Sequence, residues 1–238
     1  MDAEIALKMI VQLLVTALVA ASTAATAKLT DPEARRVMLD FATCAAKQSP
    51  NEAESVLLSQ VNNEDIIRHH PKIITPSCLK LGGELSMPGD HFRYALAEAM
   101  IRREYPAGLP ADIARAMPLV HFDVKPENYQ PEPGKKLKPK RLAELEGRRK
   151  DAVAFRFLSI YGECVDRKDF AGALHLVLSK VGSDAETRAF AALQAPLSQC
   201  LVQGQTLALD RTVLRGTIAM NLYRLAKAPR VAPAAVTP

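Results

Sequence analysis

The sequence predicts an all-α protein built as two tandem copies of a small helical unit, each with one intra-unit disulfide, joined by a Pro/Lys-rich connector. Three observations predict it. The 238 residues contain no Trp and only 5% aromatics, so the core is mostly Ala, Leu, Val and Ile, which suits helices better than stacked sheets. Apolar residues recur at helical spacing. The chain also matches itself when shifted by about 120 residues.

The first segment stands apart from that core. Residues 9–21 (MIVQLLVTALVAA) form a largely apolar run of roughly 13 residues, shorter than the ~20 that span a bilayer. Ala25-Thr26-Ala27 then supplies the small-x-small pattern read by signal peptidase, so residues 1–27 are expected to be a signal peptide. Asp2 and Glu4 against a single Lys8 are atypical of such a start, and an uncleaved N-terminal anchor is the alternative. No Cys precedes Cys44, which argues against a lipid anchor. The mature chain is expected in the periplasm or outside the cell, with no integral membrane span. An oxidising compartment favours pairing the four cysteines, and no C-x-x-C motif suggests a redox or zinc site.

The repeat sets the units. A shift of 120 places Arg36 on Arg156, Cys44 on Cys164, Ala53 on Ala173 and Leu58-Ser59 on Leu178-Ser179. A shift of 122 places Cys78-Leu79 on Cys200-Leu201, Gly82 on Gly204, Leu85 on Leu207, Arg93 on Arg215, Ala97 on Ala219 and Arg102 on Arg224. Unit one is read as residues 28–105, the connector as 106–147, unit two as 148–226 and a disordered tail as 227–238.

Within unit one, Val37, Phe41 and Cys44 line one side of a first helix. Pro50 suits an early position of the next helix, which carries Val56 and Leu57. His69-His70 before Pro71 reads as an exposed helix end, since adjacent helical side chains point apart and share no metal. Residues 81–87 form a Gly-containing extended link, and Pro88 opens a closing helix with Phe92, Leu96 and Met100 on one face.

In unit two, Phe157, Tyr161 and Cys164 repeat the first pattern. Ser183 and Glu186 resemble a capping box that starts a helix from Asp184 to about Leu193. After the link 203–209, Asp210 is the expected N-cap of a helix over 211–225, with Val213, Leu214, Ile218 and Leu222 in a stripe.

Four cysteines allow three pairings. If the ancestral unit was stable alone, its two cysteines bonded to each other, giving Cys44–Cys78 and Cys164–Cys200. Such loops contribute at most about 4 kcal/mol each, a large share of a marginal stability. Cross-unit pairing and free buried thiols are the alternatives.

The connector is Pro-rich and poor in large apolar groups, so it is read as extended, although Arg115 to Phe122 is apolar enough to pack on a unit. Lys125 to Lys150 hold nine basic and four acidic residues, a net of +5 (9 − 4) that matches the +5 of the whole chain. Lys135, Lys136, Lys138, Lys140 and Arg141 would draw an acidic envelope surface or protein; a solvated linker is the plainer reading. Nucleic acid is not an expected partner, because the chain is exported and shows no aromatic-basic platform.

Chemistry is scarce. His91, His121 and His175 are isolated in sequence, and there is no nucleophile elbow, phosphate loop or HExxH helix. No catalytic residue, metal or cofactor is expected. The recurring Arg93, Arg102, Arg215 and Arg224 are candidate anion-binding or fold-bracing groups.

The closing helices read FRYALAEAMIRR (Phe92 to Arg103) and LRGTIAMNLYRL (Leu214 to Leu225), each after a Cys and a Gly. This pattern resembles a family of exported, duplicated, paired-cysteine helical proteins from sphingomonad-type alphaproteobacteria. The resemblance covers both units but not the basic connector. It implies export and a duplicated helical fold, and no activity. The expected function is therefore non-enzymatic binding of a partner, with envelope association. An envelope-acting, lysozyme-like hydrolase and a structural stress protein without a specific ligand are the alternatives.

Overall fold

The computed structural model describes residues 31–61, 63–79, 89–131, 134–201 and 210–231. The expected signal peptide, the two Gly-containing links and Pro88 lie outside the described residues. Nine α-helices are described: α1 (Asp31–Gln48), α2 (Pro50–Leu58), α3 (Ile66–His69), α4 (Gly89–Glu104), α5 (Pro139–Lys168), α6 (Phe170–Leu178), α7 (Asp184–Ala192), α8 (Gln194–Gln199) and α9 (Arg211–Lys227). No strand occurs among the described residues; one isolated antiparallel bridge joins Ala116 to Arg230.

The fold is thus all-α and carries the two expected bridges, Cys44–Cys78 and Cys164–Cys200, with Cα atoms 5.6 and 5.9 Å apart. Each ties a long helix, α1 or α5, to a residue that follows the shorter helices of the same half.

At the centre α4 and α9 pack against each other, flanked by α1, α5 and α6. Every residue from Phe92 to Ile101 and from Arg215 to Ala226 is buried. A helix enclosed on all sides normally reads as apolar all round. These two instead carry Arg93, Glu98, Arg215, Thr217, Asn221 and Arg224 inside. Close approach is what brings them together: a Cβ added at Gly216 would lie 2.2 Å from the Cβ of Tyr94, so only a glycine fits there.

Local signals explain most helix starts. Asp210 accepts from the Val213 N–H at 2.8 Å, as its position before α9 predicts. Ser183 accepts from the Glu186 N–H, but the Glu186 carboxylate takes the Gly182 N–H instead of closing a reciprocal box. Its second task, described below, pulls it inward.

Several boundaries differ from the sequence reading. Helix α5 starts at Pro139, inside the expected connector, because Pro suits the first turn and Leu142 to Glu146 are good helix formers. Its exposed first turns carry the pairs Arg141–Glu144 and Arg149–Glu146. The stretch before it packs on the second half: Arg167 donates to the carbonyls of Ala116 and Met117, and Glu163 accepts from the Leu119 N–H. Of the expected tail, residues 227–231 are described and packed, because Arg230 binds Asp112 and the Met117 N–H donates to the Pro229 carbonyl. Val37 is 42% exposed, so Phe41 rather than Val37 anchors α1. His69 is exposed as expected, but His70 is buried beside Glu52 at 3.3 Å, since α3 turns inward before Pro71.

Candidate functional site

The four recurring arginines occupy two places. Arg215 is fully buried and divides its donors among the carboxylates of Glu98 (2.8 Å) and Glu186 (2.9 Å), the Ser179 hydroxyl and the carbonyls of Val177 and Ser179. Arg102 donates to the carbonyls of Val177, Leu178 and Ser179 at 2.6 to 3.0 Å. Two guanidiniums from the central helices thereby satisfy the orphaned carbonyls at the end of α6, where the helix dipole favours positive charge. Arg35 from α1 closes the cluster with a two-pronged contact to Glu186. Burial pushes the Glu186 carboxyl up, but Arg35, the Gly182 N–H and Arg215 together hold it below its ordinary range. The cluster uses its donors and acceptors internally, which is the pattern of a brace.

Arg93 and Arg224 lie elsewhere, lining one small void with Ser59, Gln60 and the rings of Phe122 and Phe155. Arg93 donates to the Val61 carbonyl at 2.7 Å and stacks over Phe155. Arg224 donates to the Val120 carbonyl and to the Ser159 hydroxyl.

Next to Arg224 the structure assembles a contact order that the sequence hid. His121 places Nδ1 2.8 Å from the Ser159 Oγ and Nε2 2.7 Å from Glu163. A serine, a histidine and a carboxylate in this order invite a hydrolytic reading. Access decides against it. Ser159 is 1% exposed, mid-helix, and already bonded to Asn221 and Arg224, so no acyl carbon reaches its oxygen. The network anchors the connector to α5 and α9. Burial raises the Glu163 carboxyl, while His121, the Leu119 N–H and Arg167 outweigh it and hold the group low.

The open site is a cleft of about 450 Å³ between the halves. One wall is the turn at Asn63 and the first turn of α4, Gly89 to Tyr94; the other is α5, from Asp151 to Leu158; Phe122 of the connector completes it. Gly89 makes this possible, since a Cβ there would strike the Asn63 carbonyl oxygen at 2.3 Å. The floor is apolar and aromatic: Tyr94 and Phe155 stack at 6.4 Å, with Phe122 edge-on to Phe155. The polar groups are mostly acceptors, the carboxylates of Asp90 and Asp151 and the shielded Oδ1 of Asn63, which has no donor among the described residues. His91 stands beside Asp90, whose carboxylate accepts the His91 backbone N–H at 2.9 Å. Burial raises the Tyr94 phenol well above its ordinary value, so it stays protonated. Among the described residues, no group of three or more His, Cys, Asp or Glu is placed to hold a metal ion.

None of the cleft's polar residues was singled out by sequence except His91. They sit on segments about 60 residues apart in the chain, Asn63 to Tyr94 against Asp151 to Leu158, and no spacing motif connects them. Lys135, Lys136, Lys138, Lys140 and Arg141 are exposed ahead of and along the first turn of α5, with Arg141 engaged by Glu144. No described helix is long and apolar enough to cross a membrane. No family model, curated protein or solved structure matches the chain.

Proposed function

We propose that this chain is an exported, non-catalytic binding module whose inter-half cleft receives a positively charged group carried on an apolar stem. The cleft's composition carries the reading. The carboxylates of Asp90 and Asp151 face a floor of Tyr94, Phe155 and Phe122, with no Lys or Arg among the lining residues. Aromatic faces and carboxylates together favour a cation that sheds water on binding. A lysine or arginine side chain of a partner protein has that chemistry. The two disulfides fit an oxidising compartment. The exposed basic residues ahead of α5 would hold the module near an acidic envelope surface.

The test is capture from an envelope fraction with the mature chain and two variants. Ala154→Trp fills the cleft from an exposed position, and Asp151→Lys reverses its charge. A specific partner recovered by the wild type and lost by both variants supports the reading; equal recovery by all three refutes it.

An envelope-acting hydrolase is the second reading, favoured by Asp90, His91 and Asp151 sharing one cleft. It predicts turnover of envelope polymer that Asp151→Asn abolishes.

Duplication of an ancestral unit is proposed as the origin of the chain. Supporting it, α2 and α6 are both nine residues long, and Tyr94 touches Gly216, its counterpart at the 122-residue shift. Contact between matched positions is what a pseudo-two-fold axis between two copies would produce.

A further inference from the structure

The void between Arg93 and Arg224 has no counterpart in the braces described above. Its volume is about 10 Å³, the space of about one water, so no anion larger than a halide is expected to enter. Both guanidiniums are buried, Arg93 at 2% and Arg224 at 9% exposure. Arg93 Nε is enclosed and has no hydrogen-bond acceptor among the described residues. Among the described residues, no carboxylate bonds or pairs with either group. Arg224 feels Glu163 only at a distance, since that carboxylate is taken up by His121, Arg167 and the Leu119 N–H.

Two like charges buried side by side are costly unless an opposite charge joins them. Burial, with Arg224 adding to it, pushes Arg93 down to about 10, and Tyr94 and Asp90, which act on it only at a distance, offset part of the shift. At the other arginine pair the problem is solved within the chain. Arg102 and Arg215 stand 122 residues from Arg224 and Arg93, and there Glu98 and Glu186 supply the charge. The position matching Glu98 is Met220, which lines the void and offers no carboxylate.

We infer that the Arg93–Arg224 void is a binding site for a halide-sized monovalent anion, with Arg93 Nε–H as its free donor. The anion replaces the carboxylate that the second pair of arginines receives from Glu98. It neutralises the pair behind Phe155 and Phe122, whose rings also line the cleft, and so steadies that wall.

Crystals of the mature chain grown in sodium bromide, measured at the bromine absorption edge, test this directly. The expected result is an anomalous peak within hydrogen-bonding distance of Arg93 Nε. A water or empty density at that point overturns the inference. Thermal unfolding at fixed ionic strength gives a second reading. Replacing sulfate by chloride or bromide should raise the midpoint, by roughly 3–6 °C at ten times the dissociation constant. Arg93→Gln should remove the halide response. A response of equal size in that variant overturns the inference; if Arg93→Gln does not fold, the bromide peak in the wild type decides.

Discussion

The Cβ of Tyr94 occupies the space that any side chain at Gly216 would need, 2.2 Å from where its first carbon would sit. This contact sets how closely α4 and α9 approach, and therefore which of their polar residues meet. Gly216→Ala must push the helices apart and is expected to cost about 1–3 kcal/mol or more, read from urea unfolding. Because the obstructing atom is a Cβ, Tyr94→Ala should not rescue the variant. A rescue by that second substitution would show that the ring, not the backbone approach, is the obstacle.

Glu186 bonds both Arg35 and Arg215 with 0% exposure, so Glu186→Gln leaves two buried guanidiniums short of charge. The expected cost is roughly 3–5 kcal/mol. Its carboxyl is held low in the fold, so its contribution is present above the unfolded value of about 4.3 and lost as pH falls through the folded value. Unfolding measured against pH should show an acid-side loss that is smaller in the variant.

Asp166 has the opposite sign. It is fully buried, and among the described residues neither carboxyl oxygen has a hydrogen-bond partner. Burial, then Glu163, raises its pKa well above the ordinary value, only partly offset by Arg167. A raised group favours the fold below the unfolded value of about 3.9, and that contribution disappears as pH rises through the folded value. Asp166→Asn should therefore be more stable than the wild type at neutral pH, by on the order of 1 kcal/mol or more, with the difference shrinking below about pH 4. Equal stabilities at pH 7 would count against a buried, unpaired acid here.

Peptide mapping of the oxidised chain should recover Cys44–Cys78 and Cys164–Cys200 and no cross-linked alternative. Replacing Cys164 and Cys200 together by Ala should cost about 2–4 kcal/mol in thermal or urea unfolding.

The helical class, the cysteine pairing, the Asp210 and Ser183 caps and the four recurring arginines were all legible in the sequence. Each rests on spacing within one segment or on a match between segments. The start of α5 at Pro139 was hidden because the proline and lysine content of that stretch resembles a linker, while its first turn needs no donor from Pro. His121, Ser159 and Glu163 were invisible as a set, since 38 and 4 residues separate them in no recognisable pattern.

By itself the sequence determined what kind of elements form, because periodicity and caps act over a few residues; the cysteine pairing, over 34 and 36 residues, was favoured by the match between segments and decided by the structure. Only the tertiary structure decided the tasks of the arginines. Arg215 meets two carboxylates and shares the helix-end carbonyls with Arg102, while the void between Arg93 and Arg224 has no carboxylate among its lining residues. The physical reason is that charge compensation in an interior depends on what packs across from a side chain, and that is fixed by the α4–α9 crossing rather than by neighbours along the chain.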